Sequence, residues 1–377
     1  MQDFGSTFLI AQSGYGLVRR AAAISPLFSR NADYIATRRM TMPEISLQSK
    51  IAFLSMPSNY PERPMDVNAI ETHMSWVFLT DRFAYKMKKP VIHDYLDFST
   101  LAARRRFCEE EVRLNCRLAE NVYLGVLPLT LDAAGALEFA GEGQVAEWLI
   151  LMRRLNGELA LDHCISNRRV AIHALEKLGE KLARFYVNAQ AERITAQQYR
   201  QRFAAGLDEI FAELSKPEYE LPPEMLNAIA QAMRAFLIRR AALFDGRVNA
   251  GRIIEGHADL RAEHVYLENE PVIVDCLEFS KDLRTVDAAG DLSFLALECE
   301  RLGATEIGDL LFEIYRVTAD DHPPEELVHY YQAYHACSRA RIALWHLKEP
   351  QYHDSIKWPL QAKEWLRLAA LHVEQLK

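Results

Sequence analysis

Apolar and polar positions alternate in two distinct textures along the chain. Over 43–157 the runs are mixed and strand-sized. Trp76-Val77-Phe78-Leu79 and Phe83-Ala84-Tyr85-Lys86-Met87 are rich in β-branched and aromatic residues, and the polar Thr80-Asp81-Arg82 separates them; together they predict a β-hairpin. A helix is expected from a Ser99 or Thr100 cap to about Leu118, with arginines 104 to 106 and glutamates 109 to 111 along its surface. Two further strands, Val122 to Leu129 and Glu147 to Arg153, flank the Gly141-Glu142-Gly143 turn region. Beyond Gly157 apolar residues recur at three and four. That spacing predicts amphipathic helices over 167–187, 195–215, 223–244, 285–301, 304–316, 323–347 and 358–376. The pattern implies an α+β chain with a small β-rich N-terminal lobe over 43–155 and a large helical C-terminal lobe over 156–377.

Composition narrows the partners. Half of the 377 residues are hydrophobic and 25% are charged, which argues for a sizeable core and against wholesale disorder. The net charge of −8 disfavours nucleic acid and anionic membrane as partners. No apolar run approaches the ~20 residues that span a bilayer. Six cysteines (108, 116, 164, 276, 299, 337) form no CxxC pair and read as thiols of a reducing cytoplasm. Residues 1–42, with five arginines against two aspartates, resemble a transit peptide, but the apolar Phe8-Leu9-Ile10 is too short for a secretory signal. They are expected to be a poorly ordered extension, or to precede a start at Met40 or Met42.

One interruption of the helical half carries chemistry. After Gly251 the string Arg252-Ile253-Ile254-Glu255-Gly256-His257-Ala258-Asp259-Leu260-Arg261-Ala262-Glu263-His264 runs into Val265-Tyr266-Leu267. A polar Glu268-Asn269-Glu270-Pro271 turn and Val272-Ile273-Val274-Asp275-Cys276 follow. This is a short hairpin among helices, and antiparallel pairing puts His264 and Asp275 side by side at its open end. Asp259 lies in the adjoining loop. Two carboxylates and an imidazole so converged suit metal-assisted phosphoryl transfer: one carboxylate accepts the proton of an attacking hydroxyl, another holds Mg²⁺ across phosphate oxygens. Asp259 fits the first role, Asp275 the second, and Arg261 can extend toward a γ-phosphate. A lysine is then needed for the α- and β-phosphates, and Lys86 stands on the second strand of the hairpin. Its carboxylate partner is expected to be Glu111, which shares an apolar helix face with Phe107, Leu114 and Leu118; Glu110 is rotated off that face by ~100°.

The string from His257 to His264, with Val274-Asp275-Cys276-Leu277-Glu278-Phe279 downstream, resembles the catalytic and metal-binding segments of aminoglycoside-phosphotransferase-like kinases. Glu71 to Leu79, Tyr85 to Pro90, Phe107 to Glu111 and Tyr123 to Val126 narrow the resemblance to an uncharacterised bacterial branch of that superfamily, over about residues 44 to 350. The resemblance implies a two-lobed protein-kinase-like fold, ATP with Mg²⁺ or Mn²⁺ as cofactors, and adenine near the segment Met152 to Leu155, with Met152 and Arg153 as cofactor-binding residues. The activity implied is transfer of a γ-phosphate to a hydroxyl of a small molecule. Three departures stand out: Ala258 replaces the family's glycine, His264 replaces its asparagine metal ligand, and the loop Thr72 to Ser75 lacks a phosphate-covering glycine. Imidazole suits Mn²⁺ or Zn²⁺ better than Mg²⁺, so His264 reads either as a metal neighbour or as a structural histidine. The departures leave open a second class, an inactive kinase-fold module that binds nucleotide or a partner protein. The chain contains no GxxxxGK[ST], which some members of the branch carry in a partner domain.

Other residues read more plainly. Lys88 and Lys89 are expected to be solvated surface charge. Asp287 and Asp291, one turn apart, suit capping of a helix N-terminus. The helix of Tyr330, Tyr331, Tyr334, His335, Arg339 and Arg341 reads either as plain amphipathic or as the lining of a substrate cleft.

Overall fold

Residues 45–93, 96–348, 353 and 355–376 are described by a computed structural model; the extension expected over 1–42 lies outside them. They divide into two units, one of 45–112 with 121–158, the other of 113–120 with 159–376.

The smaller unit is built on strands. In chain order these are β1 (Asn68–Glu71), β2 (Ser75–Leu79), β3 (Phe83–Lys88), the two-residue pair β4 (Ile92–His93) and β5 (Leu96–Asp97), β6 (Tyr123–Leu131), β7 (Leu137–Phe139) and β8 (Gln144–Arg153). Six of them form one antiparallel sheet in the order β1-β2-β3-β8-β6-β7. The β2–β3 turn closes because the Thr80 hydroxyl accepts the Phe83 amide at 3.1 Å while the Thr80 amide donates to the Phe83 carbonyl at 2.9 Å. Period-two alternation then sorts β3: Tyr85 and Met87 join Phe78, Leu129 and Leu149 in a core closed by Leu54 of α1 (Leu47–Leu54). Ala84, Lys86 and Lys88 take the opposite face.

The helix α2 (Leu101–Asn115) corrects two expectations. Arg104, expected on its surface, is 2% exposed; its guanidinium grips Glu147 of β8 at 2.8 and 2.9 Å, and Glu147 also holds Lys50 of α1 at 2.8 Å. Lys88, expected in solvent, is 1% exposed. Both are buried because each finds an acid on a neighbouring element, Glu147 for Arg104 and Glu111 for Lys88. Lys89 is mostly covered too, paired with Glu71 at 2.5 Å.

The larger unit is helical: α3 (Leu161–Ser166), α4 (Ile172–Asn188), α5 (Ala196–Leu214), α6 (Pro223–Arg239), α7 (Ala241–Asn249), α8 (Lys281–Arg284), α9 (Ala288–Arg301), α10 (Thr305–Ala319), α11 (Glu325–Trp345) and α12 (Lys357–Val373). Thr195 and Gln198 form a capping box that starts α5. The single helix expected over 223–244 is two, broken at Arg240, where the backbone leaves helical geometry at φ −108° and ψ 25°; apolar spacing that runs on to buried Phe244 conceals the break. Helix α9 is buried around its whole circumference from Ala288 to Cys299 and forms the centre of the unit. Tyr330 and Tyr331 of α11 belong to the same core, which settles them as packing residues. Two short ribbons are set among these helices: β9 (Ile253–Glu255) with β12 (Thr285–Asp287), and β10 (Val265–Tyr266) with β11 (Val272–Ile273). The architecture is α+β, a small β-sheet lobe and a large helical lobe.

Candidate active site

The loop from Gly256 to His264 leaves β9 and is pinned by α9. Asp291, 1% exposed in the first turn of α9, accepts the His257 amide at 2.9 Å and the Ala258 amide at 2.8 Å. The approach is close enough to require glycine at 256, where a Cβ would stand 2.5 Å from Val286 Cγ2 and 2.9 Å from Asp291 Oδ2. Arg117 grips the start of the loop through the carbonyls of Glu255 at 2.7 Å and Gly256 at 3.1 Å. Two residues that flank the chemistry hold left-handed backbone, Ala258 at φ 63° and Asp275 at φ 62°. That conformation costs a non-glycine residue about 1–2 kcal/mol, and such strain collects at functional sites.

Two imidazoles order the carboxylates. Buried His257 donates from Nε2 to the Val274 carbonyl at 3.0 Å, so its Nδ1 is the acceptor facing the Asp259 amide at 3.3 Å. Burial pushes the His257 pKa down, which keeps the ring neutral, as this arrangement requires. His264 Nδ1 donates to the Asp259 carbonyl at 2.9 Å, which leaves Nε2 as a bare acceptor in the neutral ring. Asp259 Oδ2 lies 3.7 Å from Nδ1 and Asp275 Oδ2 lies 3.6 Å from Nε2. The ribbon register explains this only in part. His264 opposes Val274, whose amide donates to the His264 carbonyl at 3.0 Å, and Asp275 is one residue further on. Its left-handed turn brings the carboxylate to the ring. The side chains of Asp259 and Asp275 remain 30% and 45% exposed, open to a ligand.

Arg261 is engaged differently from the expectation of a free reach. It pairs with Glu263, and its Nε lies 3.7 Å from Glu298 of α9. Burial alone would lower its pKa, but Glu263, Glu298, Asp259 and Asp275 together hold it above the usual arginine range. Its charge thus stands within electrostatic reach of both candidate carboxylates.

In the smaller unit, Lys86 Nζ meets Glu111 at 2.8 Å, and Glu111 is fully buried. The other carboxylate oxygen takes Lys88 Nζ at 2.6 Å, with the ammonium 5.0 Å from the Phe98 ring centre. Lys88 was missed by the sequence although a signal existed: two residues along one strand share a face. Met152 and Arg153 occupy the last rungs of β8, opposite Ala84 and Phe83, and the Arg153 amide donates to the Val122 carbonyl at 2.8 Å. The turn Thr72 to Ser75 closes on its own threonine, whose hydroxyl accepts the Ser75 amide at 3.0 Å.

The donor set beside His264 fits a divalent cation that brings other ligands with it. Asp275 offers oxygen and His264 Nε2 offers nitrogen, and among the described residues no group of three His, Cys, Asp or Glu side chains is arranged to hold a metal. Mg²⁺ commonly binds through one or two carboxylates, with phosphate oxygens and water completing the shell. No helix among the described residues is long and apolar enough to cross a membrane.

Comparison with known proteins identifies the fold. No protein-family model matches the chain. Uncharacterized proteins of Mycobacterium tuberculosis and Mycobacterium bovis are 35% identical to it over 279 residues, 73% of this chain and 54% of theirs. The chain thus spans about half the length of the curated relatives it matches. A choline/ethanolamine kinase family protein from Mesorhizobium loti superposes with a TM-score of 0.51 at 16% identity, over 87% of this chain and 99% of that one. A choline kinase from Cryptosporidium parvum gives 0.51 at 10% identity, over 87% and 96%. The chain has a protein-kinase-like fold of the kind seen in choline kinases.

Proposed function

We propose that the chain transfers the γ-phosphoryl group of ATP to a hydroxyl of a small molecule. One observation carries this reading: two solvent-accessible carboxylates, Asp259 and Asp275, each lie within 4 Å of a nitrogen of one imidazole, His264, on a loop pinned by Asp291, while a third, Glu263, 3.8 Å from Nε2, is paired with Arg261. In the step proposed, the acceptor oxygen attacks the γ-phosphorus, the bond to the bridging oxygen breaks to release ADP, and Asp259 takes the hydroxyl proton. Asp275 and His264 would hold Mg²⁺ or Mn²⁺, which supplies charge neutralisation at the phosphates when bound. Lys86, fixed by Glu111, would contact the α- and β-phosphates, and Arg261 adds positive charge for the transferring group. Adenine would lie against Met152 to Leu155, where Leu155 and Asn156 follow the last rung of the sheet.

The test is a metabolite-library screen for ADP release dependent on Mg²⁺ or Mn²⁺, with Asp259→Asn as the blank. Turnover should vanish in the variant while nucleotide affinity is spared, because only the base is removed. Equal rates in variant and parent defeat the assignment. A second reading, a nucleotide-binding module without turnover, draws on the sparse donor set of Asp275 and His264. ATP binding indifferent to Mg²⁺ and Mn²⁺ in calorimetry, with no product from any alcohol, supports that module instead.

A further inference from the structure

We propose that Arg339 of α11 is an anion subsite for the acceptor, so that the alcohol phosphorylated here carries a carboxylate or phosphate of its own. The inference rests on the phosphotransfer reading and names the substrate class of that site. His335 and Arg339 are one helical turn apart and share a face of α11. Both lie within electrostatic reach of Asp259, on a face that packs against α9 next to Asp291, the residue that pins the candidate loop. His335 is fixed there, its ring stacked on Phe294 with centroids 4.7 Å apart and its Nε2 bonded to the Gly290 carbonyl at 2.9 Å.

Arg339 is the cation left over when the charges of this region are matched. Glu298 is flanked by Arg301 at 3.1 Å and Arg261 at 3.7 Å, and Glu263 is paired with Arg261. Asp259 and Asp275 belong to the reaction. Arg339 makes no hydrogen bond or ion pair among the described residues, and its Nε is sealed from solvent without a partner. Burial first, and then repulsion from Arg261, pull its pKa down to about 10 and outweigh the attraction of Asp259, Glu298 and Glu263, none of which reaches it with an ion pair. A guanidinium whose Nε is buried without a hydrogen-bond partner is costly unless an anion completes it. Its planar fork suits a carboxylate or phosphate held by two parallel bonds.

Titration calorimetry of the full chain tests this without turnover. The probes are inorganic sulfate, glycerate, glycerol 3-phosphate, glycerol and choline, run on wild type and on Lys86→Met to remove the cation proposed for the α- and β-phosphates. Sulfate and at least one of the two anionic alcohols should bind both proteins, and glycerol and choline should not; which anionic alcohol binds more tightly distinguishes carboxylate from phosphate. Arg339→Gln should weaken anion binding about tenfold or more, the worth of a charge-assisted pair, with AMP-PNP affinity unchanged. Arg339→Lys, which keeps the charge and guards against a folding defect, should weaken it by less. Anion affinity unchanged in both variants, or no anion binding in wild type, overturns the subsite; loss of AMP-PNP affinity instead assigns Arg339 to the nucleotide and overturns the acceptor role. If no alcohol releases ADP above the Asp259→Asn blank while anion binding still depends on Arg339, the phosphotransfer reading falls and the subsite stands. If only neutral or cationic alcohols are phosphorylated and anions ignore Arg339, the reverse holds.

Discussion

Replacing Asp291 by asparagine isolates the contact that shapes the candidate loop. Each carboxylate oxygen now takes one backbone amide, His257 at 2.9 Å and Ala258 at 2.8 Å, and the oxygen facing His257 also accepts the Tyr186 hydroxyl at the longer distance of 3.3 Å. Asparagine is nearly isosteric but offers one acceptor, and its NH₂ would face the other amide donor to donor. A buried amide left without an acceptor costs about 1–3 kcal/mol, and exchanging the surviving charge-assisted bond for a neutral one costs about 1 kcal/mol more. The sum is about 2–4 kcal/mol, or roughly 4–16 °C in the melting of a unit of this size. Ser293→Ala is the control. Its buried hydroxyl bonds the Ala289 carbonyl at 2.6 Å in the same helix without touching the loop, and its loss should cost about 1 kcal/mol. Chemical denaturation gives the stabilities, and hydrogen–deuterium exchange over the peptide 252–262 reports the loop. Exchange there should accelerate in Asp291→Asn and not in Ser293→Ala. An Asp291→Asn protein as stable as the control, with loop exchange unchanged, refutes the argument.

Three further outcomes follow from the geometry. Ala258→Gly relieves left-handed backbone worth about 1–2 kcal/mol against roughly 0.5–1 kcal/mol of added unfolded-state freedom, so thermal melting should rise slightly or hold, whereas Gly256→Ala, driven into Val286 and Asp291, should melt well below wild type. Burial pushes the His335 pKa from the usual 6.5 down to about 4, so the unfolded chain takes the proton first as pH falls. Stability from this group is complete above pH 6.5 and declines between 6.5 and 4, by about 3 kcal/mol in all; urea titrations at pH 7, 5 and 4 should show a smaller decline in His335→Gln, and parallel curves would contradict it. Glu147→Gln strands two buried cations, Lys50 and Arg104, and should cost about 3–5 kcal/mol by denaturation, a loss that a shift under 1 kcal/mol would disprove.

Much of this chain was legible from local pattern. The β2–β3 hairpin, α2, the hairpin at 265–273 and most long helices of the larger unit follow from period two and period three-to-four, because those periods are properties of neighbouring residues. Glu111 was legible for the same reason, since helical phase chose it over Glu110. The pairing of His264 with Asp275 was half legible: register puts them at one end, but a left-handed φ at Asp275, invisible in residue order, closes the gap.

Tertiary structure decided everything that depends on charges meeting across long sequence separations. Asp291 lies 34 residues from His257 and Arg104 lies 43 from Glu147, and no window of sequence spans such distances. A capping aspartate, a surface arginine and an amphipathic helix are the economical readings of Asp291, Arg104 and Arg339 taken one at a time. Asp287 does cap α9 and Asp291 does lie in its first turn, but packing gives Asp291 the candidate loop and buries Arg104, because burying a charge is favourable only where another element brings the matching group. Residue order sets which faces exist, and the fold alone determines which of them confront each other.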